Sequence, residues 1–213
     1  MSMKSLLAAL VCGAAIGAAN LCAQSNQGSP QLDLARGTHS KPPRVRIETE
    51  LGSFEVELDA TRAPITVSNF LKYVDAGLYG GGSFFRTVTL SNQPNDAVKI
   101  QVVQMEANTA RRRDYLPAIP LERTRDTGLH HHDGTLSMAR NGPDTARDSW
   151  SICIGDQPEM DFGGRRNPDG QGFAAFGQVI QGMDVVRKIQ AAPADARQRL
   201  TPPIRIRRAV RVD

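Results

Sequence analysis

The sequence is poor in cysteine. It holds three in 213 residues, and Cys12 and Cys22 fall in an N-terminal stretch that reads as a leader. Only Cys153 remains beyond it, and one cysteine makes no internal disulfide. The fold must be held by its core. Cys153 lies in the apolar run SICIG and reads as a small buried hydrophobe, with no signal for a nucleophile. Charge of one sign is also lacking. Lys and Arg number 26 against 22 Asp and Glu, a formal net charge of +4. That excess is too small to argue for nucleic acid. No internal repeat is visible. The glycine-rich GGRRNPDGQG lacks the lysine–serine pair and following helix of a phosphate-binding loop. His130, His131 and His132 are adjacent, and no other Cys or His lies near them in sequence. Adjacent residues do not easily face one ion, so no metal is expected. Carboxylate pairs at a convincing spacing are absent.

The longest apolar stretch, Leu6 to Ala19, is shorter than the roughly 20 residues that span a bilayer. Lys4 precedes it and Leu21-Cys22-Ala23 follows it. That order predicts a secretory signal peptide over residues 1–23 and no membrane span once it is cleaved. Residues 24–43 are polar, rich in Pro, Gly and Ser, and aperiodic, and read as a disordered linker. Residues 44–213 have the size of one domain.

Within that domain RVRIETE and SFEVELD alternate apolar and charged residues, predicting an antiparallel hairpin around Leu51-Gly52. Pro64 opens an amphipathic helix with Ile65, Val67, Phe70, Leu71 and Val74 on one stripe, and Gly77 ends it. Short strands are expected at SFFRTV, at VKIQVVQM (98–105), TLSMAR, SICIG and FAAFGQVI, and in the closing PIRIRRAVRV. GMDVVRKIQ predicts a second helix, and residues 106–134 are expected to be irregular. The arginines of RIRRAVR alternate with apolar residues, as on a half-exposed strand. Many short strands with only two helices argue a closed barrel or a sandwich with helices over open ends. Periodicity alone does not choose between them.

Three stretches, GSFEVELDATRAPITVSNFLKYVDAGLYGGGSFFRTV, GTLSMARNGPDTA and FAAFGQVIQGMDVVRKI, resemble in order and spacing the cyclophilin-type peptidyl-prolyl cis-trans isomerases. The long GDQPEMDFGGRRNPDGQGFAAFG loop resembles a bacterial branch of that family, which suits the leader. The resemblance implies a mainly β fold, a closed eight-stranded antiparallel barrel capped by two α-helices. It implies an isomerase that needs no cofactor, acting as a monomer on proline-containing segments of unfolded or exported proteins in the periplasm or outside the cell. Arg86 matches the catalytic arginine. A strand that otherwise reads as buried then carries a guanidinium because a donor is needed beside the twisting amide.

The substrate groove implied by the resemblance comprises Gln101, Val102, Gln104, Met138, Ala139, Arg140, Ser149, Ser151, Met160 and Phe173. Several depart from the family pattern. Phe85 replaces a histidine, and both phenylalanines of SFFR are expected in the core. Gln101 stands where the family has phenylalanine and Val102 where it has methionine. Met105-Glu106 replaces two glycines, which predicts a rebuilt turn after Gln104. Ser149 replaces a glutamine and Ser151 a phenylalanine of the pocket floor, a loss of roughly 1.5–3 kcal/mol of ring contact. Trp150, one position over, should point to the opposite face. Glu159 takes the place of a tryptophan, while Phe173, where histidine is common, restores apolar surface. The polar Gln101 and Ser151 favour a rival reading, a proline-peptide binder or chaperone with weak or no catalysis. A third reading, a scaffold using RRRD and RIRRAVR on anionic surfaces, has less behind it.

Overall fold

The computed structural model describes residues 41–212. The expected signal peptide and residues 24–40 of the expected linker lie outside them. The elements are β1 (Arg44–Thr49), β2 (Gly52–Leu58), α1 (Pro64–Asp75), β3 (Ser83–Val88), β4 (Val102–Glu106), α2 (Thr124–Thr127), β5 (Thr135–Met138), β6 (Trp150–Cys153), β7 (Ala174–Gln181), α3 (Met183–Gln190) and β8 (Arg199–Val212). The strands close a barrel in the order β1-β2-β7-β5-β6-β4-β3-β8, with antiparallel neighbours throughout. Closure removes exposed sheet edges. The barrel, rather than a sandwich, is the outcome that the resemblance implied.

The period-two pattern of the hairpin is realised directly. Val45, Ile47, Phe54 and Val56 face inward. Outside, Arg44 and Arg46 stand opposite Glu57 and Glu55 in register and pair with them at 2.7 and 2.8 Å. The turn needs Gly52, whose φ is +131° and whose missing Cβ would stand 2.9 Å from Val185 of α3. Helix α1 buries Val67, Phe70, Leu71 and Val74 as the stripe predicts, but Ile65 is 43 % exposed and does not belong to it. Ala63, ahead of the helix, offers no side-chain cap. Glu122 supplies one from afar, accepting from Ile65 N and Thr66 N at 3.0 and 2.8 Å, where a carboxylate also suits the helix dipole.

The main core is aromatic. Phe70 and Trp150 meet edge to face at 5.5 Å and Phe84 and Trp150 at 6.1 Å, while the Phe70 and Phe176 rings are tilted at 52° with centres 5.5 Å apart. Such pairs add attraction beyond area burial. A second, smaller cluster of Val88, Ile100, Val102, Cys153 and Met160, with Phe173 against it, packs apart from that core. Cys153 is fully buried there, and burial pushes its thiol pKa well up.

Several expected boundaries move. β4 begins at Val102 because Ile100 and Gln101 are held by side chains instead of a full ladder: Gln93 Oε1 accepts from Ile100 N at 3.2 Å and Gln157 Oε1 from Gln101 N at 3.1 Å. No turn is rebuilt after Gln104. Met105 enters the core opposite Trp150, and β4 continues to Glu106. The stretch 106–134 holds a 3-10 segment, Thr109–Asp114, and the short α2. The arginines of β8 lie on an exposed face, where Arg208 pairs with Glu48 at 2.8 Å and Arg211 with Asp75 at 2.6 Å.

Candidate functional site

Register places the site. Arg86 on β3 stands opposite Gln104 on β4, Gln104 opposite Ser151 on β6, and Ser151 opposite Ser137 on β5. On its other side Arg86 is the partner of Arg199 on β8. These residues form one row on the outside of the barrel, because their strand neighbours Phe84, Met105, Trp150 and Met138 fill the inside. The ladder of β3 is interrupted between Phe84 and Arg86 by a bulge. A bulge leaves an extra residue that need not alternate. Phe85 is therefore partly exposed beside Arg86, and only Phe84 of the pair belongs to the core. β6 has no such interruption, and Trp150 is fully buried.

The Arg86 guanidinium is partly buried and held entirely by neutral oxygens. Nε and Nη2 donate to Gln198 Oε1 at 3.0 and 2.6 Å, and Nη1 donates to Gln104 Oε1 at 3.1 Å. Both amides are themselves fixed. Gln104 Nε2 donates to Ser149 Oγ at 3.1 Å, and Ser149 Oγ donates to the Met105 carbonyl at 2.6 Å. Gln198 Nε2 donates to the Asn92 carbonyl at 3.1 Å. No carboxylate pairs with Arg86 among the described residues. Burial, then the charges of Arg166 and Arg199, push its pKa down from the usual arginine value, yet a guanidinium remains protonated at any physiological pH. The result is a fixed cation in a partly dry place, with a second hydrogen on each terminal nitrogen still available.

Gln198 has no motif that marks it. It lies in the turn before β8 at φ +67°, a region that costs a non-glycine residue about 1–2 kcal/mol. Asp195 holds that turn, its Oδ1 accepting from Arg197 N and Arg199 N at 2.8 Å each. The only hint in the sequence is an Asp three residues ahead of a Gln in a polar link.

The other candidates divide. Val102 and Met160 lie beside Phe173 in the second cluster but are only 2 and 3 % exposed. Ser151 is 6 % exposed. Gln101 is half-buried, its carbonyl accepting from Ile154 N at 2.9 Å. Ala139 is half-buried, its N–H on the Ser149 carbonyl. Met138 points into the main core. Arg140 does not present a free guanidinium. It donates to Asp169 at 2.7 and 2.9 Å and to the Gly172 carbonyl at 2.8 Å, and lies 5.4 Å from the Phe173 ring. It braces the loop that carries Phe173. Arg166 braces the same loop from the other side, donating to Gln93, Asp96 and the Val98 carbonyl. Glu159 pairs with Arg165 at 2.9 Å.

The three histidines also serve this loop. His131 is buried, with Nδ1 2.6 Å from Asp161 Oδ1 and Nε2 2.9 Å from Ser137 Oγ. His130 reaches Asp161 Oδ2 at 2.9 Å, and His132 reaches Asp156 at 3.2 Å. Burial raises the Asp161 pKa, but the bonds from His131 and His130 outweigh it and hold the carboxyl low. The Ser–His–Asp order imitates a hydrolase triad. Ser137 is buried, however, so its hydroxyl meets no substrate.

The family model described as cyclophilin type peptidyl-prolyl cis-trans isomerase/CLD matches residues 44–211. The chain is 37 % identical over 150 residues to a peptidyl-prolyl cis-trans isomerase of Acinetobacter baylyi, covering 70 % of this chain and 72 % of that one. It is 32 % identical over 162 residues to peptidyl-prolyl cis-trans isomerase A of Dickeya dadantii, covering 76 % and 75 %. Among solved structures, a cyclophilin type isomerase of Cryptosporidium parvum, determined in the presence of the dipeptide Ala-Pro, matches with a TM-score of 0.64. That match has 20 % identity and covers 80 % of this chain and 99 % of the other, a likeness of fold.

Proposed function

The chain belongs to the cyclophilin-type peptidyl-prolyl cis-trans isomerases, and we propose that it isomerises X-Pro bonds of exported proteins with Arg86 as the catalytic residue. Rotation about the prolyl amide must break resonance across a barrier of roughly 18–20 kcal/mol. No bond is made or cut. As the amide twists, its lone pair collects on the proline nitrogen, which becomes a hydrogen-bond acceptor. A cation that meets this state better than the planar one lowers the barrier by differential binding. A 10⁴-fold gain corresponds to ~5.4 kcal/mol, within reach of one charged donor plus fixation of the ring.

The observation that carries this reading is the way Arg86 is held. Gln104 and Gln198 fix its position through amide oxygens and leave its charge unneutralised. The half-buried Phe173, packed against the cluster that holds Met160 and Val102, supplies apolar surface for the ring. The leader predicted over residues 1–23 supports exported substrates. Isomerisation of an Ala-Pro peptide by the purified protein is the test. Arg86→Ala should lower kcat/KM roughly 10²–10³-fold, the size of losing one transition-state donor. Equal rates for wild type and variant would sink the role of Arg86.

The slight exposure of Val102, Met160 and Ser151 favours one second reading, a proline-peptide binder that does not catalyse. Under that reading the peptide binds, and neither wild type nor Arg86→Ala speeds isomerisation.

A further inference from the structure

Arg86 shares its face of the barrel with a second, less committed cation. Arg199 is its partner on β8, and the Arg199 guanidinium carbon lies 5.0 Å from the centre of the Phe85 ring. The bulge that brings Phe85 outward thus supplies a platform that keeps Arg199 beside Arg86. Arg199 is exposed, and its guanidinium has no hydrogen bond or ion pair with any described residue. Its backbone alone is engaged there, the N–H donating to Asp195 Oδ1 and the carbonyl accepting from Asp195 N, both at 2.8 Å. Arg166 approaches from the loop that carries Phe173, with Asp96 3.3 Å away. Arg199 and Arg166 are near enough for both to disfavour the charge on Arg86. Glu106 lies within the influence of Arg199 and Arg112 but forms no ion pair with either.

Gathering guanidiniums costs self-repulsion, and nothing in the core asks for Arg199. An anion arriving in the groove relieves that repulsion. The geometry also fits a peptide. Paired residues on neighbouring strands stand roughly 5 Å apart, and an extended chain advances ~3.3 Å per residue. With a prolyl amide at Arg86, a side chain one or two residues away reaches Arg199. We propose that Arg199 is a specificity residue, selecting proline segments that carry a carboxylate side chain next to the proline or one residue further. The carboxylate accepts from the Arg199 fork while Arg86 keeps its place at the amide. This inference rests on the proposed use of the groove for proline peptides.

The test uses Ala-Glu-Pro-Phe and Ala-Lys-Pro-Phe, with Ala-Pro-Glu-Phe and Ala-Pro-Lys-Phe for the other side. Dissociation constants come from NMR titration and isomerisation rates from exchange spectroscopy. At low salt the wild type should bind the Glu member of at least one pair roughly fivefold tighter, the upper size of one exposed ion pair. Near 1 M salt, where the screening length is ~3 Å, that ratio should collapse. Arg199→Gln should abolish it and Arg199→Lys should keep most of it. Lys72→Gln, which removes a charge from α1, should leave it intact. A ratio near one in the wild type, or an unchanged ratio in Arg199→Gln, overturns the inference. So does a single-stranded oligonucleotide that competes as well as the Glu peptide, which would mark a general polyanion surface. Preference in binding without isomerisation overturns the catalytic reading alone. Isomerisation without preference overturns this inference alone.

Discussion

Two rows of side chains cross β3, β4, β6 and β5 next to one another and share almost nothing. Phe84, Met105, Trp150 and Met138 are successive partners pointing into the barrel, and all are essentially inaccessible. Arg86, Gln104, Ser151 and Ser137 are the adjacent partners pointing out. The inner row is held by packing and aromatic contact. The outer row is polar, and around Arg86 it is organised by amide oxygens that leave a charge unpaired. A strand's two faces can be built under separate rules because successive residues point apart. β3 needs one extra device, the bulge at Phe85, which adds an outward residue while Phe84 keeps its place inside.

If the rows are separable, damage to the inner one should appear as lost stability and damage to the outer one as lost activity. The largest effect is expected at Trp150, which contacts Phe70, Tyr79 and Phe84. Trp150→Ala should cost about 3–5 kcal/mol, the range for emptying a buried aromatic site. Urea denaturation measures it. Arg86→Ala should stay within ~1 kcal/mol of wild type in the same experiment, since it removes no packed apolar group. A large stability loss at Arg86, or a small one at Trp150, breaks the comparison.

Gln198 sharpens it. The residue touches no expected substrate and acts by holding Arg86, which makes it a positioning residue. Gln198→Ala should lower kcat about tenfold while changing KM little, because small misplacements of a catalytic group are costly. Gln198→Glu keeps an acceptor in the same place but sets a negative charge against the guanidinium. Its ion pair should keep Arg86 in the site even though the bond from Gln198 Nε2 to the Asn92 carbonyl is lost, and activity should still fall, because neutralisation lowers the charge the amide would feel. Full activity in Gln198→Glu would show that position alone matters.

Much of the core was legible in the sequence, although Met138 was expected in the groove and Met105 in a rebuilt turn and both lie inside the barrel; the outer row was legible only in part, for a physical reason. Core residues announce themselves by period. Val45, Ile47, Val67, Phe70, Val185 and Ile189 all fall where alternation or a helical stripe puts them. Arg86 and Gln104 were found through resemblance to a family and not through period, since a polar residue on an outer strand face looks like any solvated one. Gln198 and Arg199 sit beside Arg86 only because β8 closes the barrel against β3, a contact between residues 112 positions apart in the case of Arg86 and Gln198. Pattern within a window does not contain such a pairing. Phe85 was misplaced for a related reason: a bulge breaks alternation without leaving a mark in composition.

The smallest effect concerns the wall behind the outer row. Phe173 is carried on a loop braced by Arg140, whose side chain is 1 % exposed and whose fork meets Asp169. The Arg140 guanidinium, with the Gln171 N–H, lowers the Asp169 pKa from 3.8 to about 2. A depressed carboxyl contributes stability that is present above its unfolded value and lost as pH falls through the folded one. Between pH 3.8 and about 2 this brace should therefore weaken, leaving a guanidinium poorly exposed and unpaired. The inner row contains no titrating group and should not respond. Amide exchange followed through that window should show protection at 169–173 falling a few-fold relative to β5 and β6. Asp169→Asn should show the lower protection already at neutral pH and no further loss attributable to this pair on acidification. If loop and strands lose protection together in the wild type, the wall and the core are one cooperative unit, and the independence of the two faces fails at this edge.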